Sequence, residues 1–189
     1  MKKFNTELKN TIDTLKSGGI ILYPTDTVWG IGCDATNIDA VKKIYQLKQR
    51  EETKSMICLV VDDRMLKKHV EIVPQVALDI IDLTENPTTI IYENPKGLAE
   101  NLISNDNTIA IRIPDDEFCF QLLRKFNSPI VSTSANIGGQ PTPNSFKEIP
   151  QEILKGVDYI VNLHQDKKTQ KPSSIIKLNT DGLVKIIRE

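Results

Sequence analysis

The sequence predicts a single α/β domain, built on a twisted mixed sheet flanked by helices. Short apolar runs, typical of buried strands, alternate with segments in which apolar residues recur at helical spacing. The chain ends in a hairpin pattern, whose two strands must run antiparallel. A chain of 189 residues can bury one hydrophobic core and is short for two independent ones. We therefore predict one domain over residues 1–189.

The first half of the chain predicts two helices and two strands. They are a helix carrying Leu8, Ile12 and Leu15, a strand over 20–23, a helix carrying Val41, Ile44, Tyr45 and Leu47, and a strand over 56–61. Gly18 and Gly19 should end the first helix, and Pro24 should end the first strand. Thr36 or Asn37 is expected to cap the second helix. The segment from residue 25 to residue 32 is interpreted as ordered and punctuated by glycine.

The second half continues the alternation of helices and strands. In order, we predict a helix capped by Asp62 or Asp63, a helix from Pro74 to Leu83, strands over 88–92 and 108–113, a helix over 118–123, a strand over 129–133, a helix ending at 153–154 and a strand over 159–163. Residues 164–170 are polar and should form a loop. The final hairpin should pair strands 174–178 and 183–187 around Asp181-Gly182.

Composition excludes several functional classes. The 24 Lys and Arg residues against 25 Asp and Glu give a net charge of −1, without the basic excess of a nucleic-acid-binding surface. No apolar run approaches the roughly 20 residues of a membrane span, and the N-terminus lacks the apolar stretch of a signal peptide. We therefore expect a cytoplasmic protein.

Cysteine and histidine usage predicts no metal or disulfide framework. Cys33, Cys58 and Cys119 are odd in number and widely spaced, so we interpret them as small apolar residues. His69 and His164 have no partner at metal-ligand spacing and are expected at the surface. A histidine-based metal site or a Ser-His-Asp triad is therefore not predicted.

Glycine-rich phosphate-binding loops are not predicted either. The segment from Gly30 to Ala35 formally fits the dinucleotide fingerprint, but it begins six positions after Pro24. That fingerprint needs its glycines in the tight turn directly after the strand. The sequence also lacks a Walker A loop. Any phosphate would therefore be held by side chains and scattered backbone amides.

Basic residues near predicted strand ends point to an anion site. Lys48 and Arg50 follow a predicted helix, where they can simply complement its dipole on a solvated face. With Lys54 they could instead converge at a strand end and form an anion pocket. Arg112 lies within an apolar strand. Its side chain could extend past apolar neighbours to solvent at the edge of the sheet, or its guanidinium could present a fork of donors to a carboxylate.

A run of hydroxyl and amide side chains follows another predicted strand. Ser132, Ser134 and Asn136 lead into a loop rich in glycine and proline. Such residues commonly cap turns, and they also suit neutral hydrogen bonding to phosphate, ribose or a polar substrate. Both interpretations remain open on the residues alone.

Taken in order, these segments resemble the signatures of the YrdC family of threonylcarbamoyl-AMP synthases. They are Tyr23-Pro24-Thr25-Asp26-Thr27-Val28-Trp29-Gly30-Ile31-Gly32, Lys48-x-Arg50, Arg112-Ile113-Pro114, Ser132-x-Ser134-x-Asn136 and Pro172-Ser173-Ser174. The match runs from about Ser17 to the C-terminus and leaves no room for the additional C-terminal domain of longer members. The chain therefore resembles the short, single-domain form.

The resemblance implies a YrdC-like fold with a basic concave pocket, and a nucleotidyltransferase that uses ATP as a substrate with Mg²⁺. L-threonine, bicarbonate and ATP would give threonylcarbamoyl-AMP and pyrophosphate. The product would pass to the tRNA threonylcarbamoyltransferase machinery, which modifies adenosine 37. The alternative is a paralogue of this fold that binds double-stranded RNA, tRNA or a nucleotide without this activity. Intact motifs favour the synthase, and the lack of stacking aromatic residues disfavours an RNA binder.

The resemblance also implies roles for individual residues. The catalytic residues would be Lys48, Arg50, Ser134 and Asn136. The ATP-binding residues would be Arg50, Lys54, Thr108, Ser134, Asn136, Thr142 and Arg188. The threonine-binding residues would be Thr27, Arg112, Ser132 and Ser173. No metal ligands are assigned, although Glu51 and Glu52 could help to hold Mg²⁺. Leu59 stands where many members carry a histidine, so a substrate contact there is lost or replaced.

Overall fold

The computed structural model describes residues 2–51, 56–169 and 171–189. Its helices are α1 (Lys2–Lys16), α2 (Ile38–Leu47), α3 (Asp63–His69), α4 (Gln75–Leu83), α5 (Glu117–Phe126) and α6 (Gln151–Gly156). Its strands are β1 (Ile21–Tyr23), β2 (Gly30–Gly32), β3 (Ile57–Leu59), β4 (Thr88–Glu93), β5 (Thr108–Arg112), β6 (Ile130–Ser134), β7 (Tyr159–Ile160), β8 (Ser174–Leu178) and β9 (Val184–Arg188). The predicted alternation of helices and strands is confirmed.

These strands form one mixed sheet in the order β7-β1-β2-β6-β3-β5-β4-β8-β9. The pairs β1–β7, β3–β5 and β4–β8 are parallel, and the other five neighbouring pairs are antiparallel. The predicted C-terminal hairpin is present as β8 and β9, and Gly182 in its turn has a φ of 87°. The predicted mixed sheet is therefore confirmed.

Strand β2 refines the interpretation of residues 25–32. It pairs with β1 on one side and with β6 on the other. A Cβ atom at Gly32 would lie 2.5 Å from the carbonyl oxygen of Val131, so glycine is needed for this close approach. An apolar-run criterion misses β2 because two of its three residues are glycines.

Hydrogen bonds at the first turns of α2 and α3 show which of the predicted residues cap these helices. Asn37, not Thr36, caps α2, and its Oδ1 accepts hydrogen bonds from the N–H groups of Asp39 and Ala40. Asp62 caps α3 by accepting a 2.8 Å bond from the N–H of Met65. Each cap satisfies backbone donors that have no partner within the helix.

The helices cover the sheet on both faces, and the sheet lies between two apolar layers. Helices α1 and α5 pack on one face through Leu8, Leu15 and Phe118. Residues of α2, α3, α4 and α6 belong to the layer on the other face. Neighbouring residues of a strand point to opposite faces, so Ile130 of β6 joins the first layer and Val131 joins the second. All three cysteines are buried, as predicted.

Two remaining predictions concern the histidines and membrane spans. His164 is exposed, as predicted. His69 is half-buried and its Nδ1 lies 3.2 Å from the carbonyl oxygen of Lys96, so the surface prediction is confirmed only in part for this residue. None of the helices in the described part of the chain has the length and apolar character needed to cross a membrane.

Candidate active site

A cavity of about 200 Å³ opens on the sheet face that carries α1 and α5, beside the area that these helices cover. Its floor is formed by side chains that point to the same face along β6 and β3. On β6, Ile130 packs into the apolar layer, and Ser132 and Ser134 continue the same face into the cavity. On β3, Leu59 packs into that layer and Ile57 lines the cavity. The same strands therefore supply both the core and the polar floor.

Eight predicted site residues line this cavity. They are Thr27, Arg50, Arg112, Ser132, Ser134, Thr142, Ser173 and Arg188. They come from β5, β6 and β9 and from the segments before β2, after α2, after β6 and before β8, so residues far apart in the chain meet here. Three are arginines, and no Asp or Glu is among the described residues of the lining. The arrangement suits an anionic ligand with several hydrogen-bonding groups.

Arg112 is buried and paired with a carboxylate. Its Nη1 donates to both carboxylate oxygens of Asp26, each at 2.6 Å, and only 4% of the arginine is exposed. Asp26 also accepts a 3.2 Å bond from the N–H of Asp115. Arg112 is therefore not a snorkelling edge residue but pairs with a carboxylate, and that carboxylate belongs to the protein.

A chain of hydroxyl groups continues from Arg112. Its Nη2 donates to Thr27 Oγ1 at 3.3 Å, and Thr27 Oγ1 lies 3.0 Å from Thr25 Oγ1. The Thr25 hydroxyl donates to the carbonyl oxygen of Val28 at 2.7 Å, so the Thr27 hydroxyl must be the donor to Thr25. Thr27 thus keeps one acceptor position on an oxygen that lines the cavity.

Lys48 supports the cavity without lining it. It is 1% exposed, and its Nζ donates to the carbonyl oxygens of Ser134 and Asn136, the latter at 2.7 Å. Its own carbonyl oxygen accepts a 2.6 Å bond from the N–H of Gly138. Burial, together with the neighbouring Arg50 charge, lowers the pKa of Lys48 to about 7. Lys48 therefore holds the loop that follows β6, and direct contact with phosphate stays a prediction.

Asn136 also shapes this loop. Its Nδ2 donates to the carbonyl oxygens of Ile137 at 2.9 Å and Gln140 at 2.8 Å. The two donated bonds fix which end of the amide is the oxygen. The buried Oδ1 has no hydrogen-bond partner in the described part of the chain. Asn136 does not line the cavity as described, so its role toward ATP stays a prediction.

The C-terminal hairpin closes one side of the cavity. Ser173 Oγ lies 2.8 Å from Thr89 Oγ1 on β4. Arg188 reaches back across the hairpin, and its Nε and Nη2 donate to the carbonyl oxygen of Ser173 at 3.0 and 2.6 Å. Partial burial lowers the pKa of Arg188 from its ordinary value. The hairpin thus brings a serine and an arginine from the end of the chain to the cavity.

Two further residues singled out by the sequence, Thr108 and Leu59, lie outside the cavity as described, and a third falls on a residue that the structure does not describe. Thr108 begins β5, at the end opposite Arg112, and its hydroxyl donates to Asp106 Oδ1 at 2.8 Å. Its contact with ATP stays a prediction. Lys54 lies outside the described residues. Leu59 is 1% exposed and belongs to the apolar layer, so it makes no contact with the cavity.

The described residues do not form a protein-held metal site. Glu51 is exposed and does not line the cavity, and Glu52 lies outside the described residues. No cluster of three or more His, Cys, Asp or Glu side chains is placed to hold a metal within residues 2–51, 56–169 and 171–189. The lining offers hydroxyl oxygens, whereas Mg²⁺ is usually held through carboxylates or substrate phosphates.

Asp26 and Thr25 are site residues that sequence reasoning did not assign. A signal for Asp26 was present, because an arginine within an apolar strand needs a buried counter-charge. The sequence could not identify which of 25 acidic residues supplies it, since Asp26 and Arg112 are 86 positions apart.

Comparisons with known proteins agree with the fold and the motifs. The Sua5/YciO/YrdC family model, described as Telomere recombination, matches residues 13–189. The threonylcarbamoyl-AMP synthase of Pseudoalteromonas translucida is 34% identical over 167 residues, which cover 87% of this chain and 89% of that one. The crystal structure of E. coli YciO superposes with a TM-score of 0.83 at 26% identity, covering 96% of this chain and 88% of that one.

A longer protein shares the fold. The crystal structure of P. abyssi Sua5 complexed with L-threonine superposes with a TM-score of 0.81 at 23% identity. The match covers 90% of this chain and 50% of that one, so this chain spans about half the length of that protein. At this identity the likeness shows the fold alone.

Proposed function

This chain belongs to the Sua5/YciO/YrdC family, and we propose that it is a threonylcarbamoyl-AMP synthase. It would convert L-threonine, bicarbonate and ATP into threonylcarbamoyl-AMP and pyrophosphate. The relative from Pseudoalteromonas translucida carries that name at 34% identity over most of both chains. The sequence motifs that resemble the YrdC family meet around one cavity, which adds support from this chain itself.

The observation that carries the proposal is the convergence of three arginines with serine and threonine hydroxyls in a cavity whose described lining has no carboxylate. The reaction brings a carbamate and a triphosphate together, so several negative charges must share one site. Fixed positive charges and oriented donors stabilise such a transition state more effectively than mobile water does.

We assign the binding of threonine to Thr27, Arg112, Ser132 and Ser173. Arg112 keeps donors beyond those that it gives to Asp26 and Thr27, and these suit the α-carboxylate. The hydroxyl groups of Thr27 and Ser132 can accept or donate to the amine and the side chain of the substrate. No catalytic histidine is required in this scheme.

We assign the binding of ATP to Arg50, Ser134, Thr142 and Arg188. Arg50 and Arg188 would bind phosphate oxygens, and the two hydroxyls would complete the hydrogen bonding. Lys48 and Asn136 would hold the loop that carries these groups, consistent with their bonds to its backbone. Lys54 and Thr108 keep their predicted roles in ATP binding as untested assignments.

The proposed step is a nucleotidyl transfer. The threonine amine and bicarbonate first condense to a carbamate, N-carboxythreonine, with loss of water. A carbamate oxygen then attacks the α-phosphorus of ATP, a new P–O bond forms, and the bond to the bridging oxygen of the β-phosphate breaks as pyrophosphate leaves. The protein positions the two substrates and neutralises charge. Since the described lining of the cavity has no carboxylate, we propose that Mg²⁺ enters bound to the ATP phosphates.

The proposed product is an activated intermediate, so a second enzyme must transfer its threonylcarbamoyl group to adenosine 37 of tRNA. A supply of ATP and tRNA fits a cytoplasmic location. The alternative, an RNA-binding paralogue without the activity, is not favoured, because the relatives at 30–36% identity are named as synthases.

The test incubates the pure protein with ATP and Mg²⁺, and adds L-threonine and bicarbonate separately or together. Pyrophosphate release is followed by a coupled assay and threonylcarbamoyl-AMP by mass spectrometry. We expect both products only when threonine and bicarbonate are present together. Pyrophosphate release that does not depend on threonine, or the absence of an adenylate of the expected mass, would reject the proposed synthase activity.

A further inference from the structure

The ion pair between Asp26 and Arg112 has a role that the proposed function does not explain. Both side chains are almost fully buried, with 9% of the aspartate and 4% of the arginine exposed. Arg112 lines the cavity, whereas Asp26 lies behind it and lines neighbouring depressions instead. The carboxylate thus reaches the cavity only through the guanidinium.

Asp26 and Thr27 fix the guanidinium at two of its nitrogen atoms. Nη1 donates to both oxygens of Asp26 at 2.6 Å, and Nη2 donates to Thr27 at 3.3 Å. Asp26 is itself held by the N–H of Asp115 at 3.2 Å. The Nε–H and the second hydrogen of Nη2 donate to none of the residues that the structure describes. Arg112 therefore offers a small, oriented set of donors.

The same pairing reduces the net attraction of the site for an anion. Asp26 neutralises Arg112 before any ligand arrives, so an incoming carboxylate meets a charge-balanced pair. Removing the Asp26 charge should increase the attraction of Arg112 for a carboxylate, and it should also release the guanidinium from its fixed orientation. Affinity and alignment should therefore change in opposite directions.

We propose that Asp26 is a positioning residue, which fixes Arg112 so that the substrate carboxylate is aligned for reaction at the expense of affinity. The inference rests on the proposed function and assigns a residue within the same site. It differs from a simple structural role, because it predicts a loss of turnover without a loss of substrate binding.

The first experiment measures steady-state kinetics for Asp26→Asn, which keeps the shape of the side chain and removes its charge. Misalignment should lower kcat by about 10-fold or more. The KM for threonine should stay within about twofold of the wild type or fall, and the KM for ATP should not change. A rise in threonine KM with an unchanged kcat would overturn the proposal.

Asp13→Asn is the matched control. It makes the same chemical change in an exposed ion pair, with Lys9 at 2.7 Å on α1, away from the cavity. It should leave both kinetic constants within about twofold of the wild type. If Asp26→Asn behaves like this control, Asp26 does not position Arg112.

A double-mutant cycle tests whether Asp26 acts through Arg112. In an Arg112→Gln background, Asp26→Asn should change the remaining kcat by less than about twofold, because the group that Asp26 orients is gone. A further 10-fold loss in that background would show an independent role and reject the mechanism.

If Asp26→Asn does not fold, Asp26→Glu keeps the charge but moves the carboxylate, and it should still lower kcat by about 10-fold. An unchanged kcat in folded Asp26→Glu would also reject the proposal.

A spectroscopic measurement separates this inference from the proposed function. In ¹⁵N NMR spectra of arginine side chains, the Nη hydrogens of a fixed Arg112 should be resolved, since Asp26 and Thr27 hinder rotation of the guanidinium. Asp26→Asn should merge them, and Asp13→Asn should not. This readout needs no catalysis, so it remains valid if the wild type forms no threonylcarbamoyl-AMP. Identical arginine spectra in wild type and Asp26→Asn would overturn the positioning role.

Discussion

At the residue scale, the site depends on charged side chains whose partners are distant in sequence. Lys48 and Arg50 belong to one short motif, yet they face different surroundings. Arg50 lines the cavity, whereas the ammonium group of Lys48 bonds to the backbone of the loop after β6. The spacing of the motif therefore brings two basic residues to this region, but it does not distinguish a residue that lines the cavity from one that supports a loop.

Turnover should separate these two positions from other basic residues. Arg50→Ala should lower turnover by about 10-fold or more, because it removes a charge aimed at the reacting phosphates. Lys48→Ala should lower turnover to a similar degree and also lower the melting temperature, since two carbonyl groups lose their donor. Arg64→Ala, on the exposed side of α3, is the control and should have no effect on either measurement. Wild-type turnover in both Arg50→Ala and Lys48→Ala would show that this motif takes no part in the mechanism.

The buried ammonium group of Lys48 also predicts a pH dependence of stability. Its pKa is about 7 in the folded protein against an ordinary value of 10.5, so the unfolded chain binds more protons between these values and stability should rise with pH. Burial raises the pKa of Cys58 from 9.0 to about 12, which has the opposite effect at higher pH. The window from pH 7 to pH 8.5 therefore isolates the lysine.

Over that window the free energy of unfolding should increase by about 2 kcal/mol through Lys48. Urea denaturation at several pH values measures the slope for wild type and for Lys48→Met, in which the slope should be lost. Parallel slopes in the two proteins would mean that Lys48 remains charged throughout and would contradict the assignment.

At the scale of single elements, close approach between strands decides where glycine is required. Gly32 of β2 faces the backbone of β6, and an added Cβ atom would also lie 2.8 Å from the ring of Tyr23. Gly30 has more room, since its nearest neighbour would be the Ser132 hydroxyl at 3.1 Å. A side chain can adjust to such a contact more easily than a paired backbone.

Gly32→Ala should therefore destabilise the protein by about 1–3 kcal/mol, because β2 and β6 must separate to admit the methyl group. Gly30→Ala provides the comparison within the same strand and should have a smaller effect on the free energy of unfolding. Urea denaturation measures both values. A Gly32→Ala protein as stable as the wild type would show that β2 does not pack as closely as described.

The elements that sequence reasoning predicted well are those specified by local chemistry. Helix α2 follows from the spacing of Val41, Ile44 and Tyr45 and from its Asn37 cap, and the turn of the hairpin follows from Gly182. The missed features depend on contacts between distant segments. Strand β2 exists because two neighbours bind its backbone, and the partnership of Asp26 with Arg112 exists only once β5 has joined the sheet. A local pattern can show that a partner is needed, as for Arg112, but it does not identify that partner.

At the scale of the whole molecule, the cavity joins the centre of the sheet to its C-terminal edge. Ser132 and Ser134 lie on central β6, whereas Ser173 and Arg188 belong to the hairpin at the edge. Every residue of β9 is exposed, including Ile186 at 62%, and the strand lies at the edge of the described sheet, paired with β8. A ligand that spans the cavity would connect the centre of the sheet to this exposed strand.

Hydrogen–deuterium exchange should detect that connection. Amide hydrogens of β9 should exchange rapidly in the free protein and at least several-fold more slowly with saturating ATP and Mg²⁺, because a phosphate held by Arg188 stabilises the hairpin against local opening. Amides of α1, which lies outside the cavity lining, provide the internal reference and should not change. In Arg188→Gln the protection of β9 by ATP should be lost while α1 stays the same. Equal protection of β9 with and without ATP would show that the hairpin takes no part in nucleotide binding. The assignment of Arg188 to ATP binding would then be rejected.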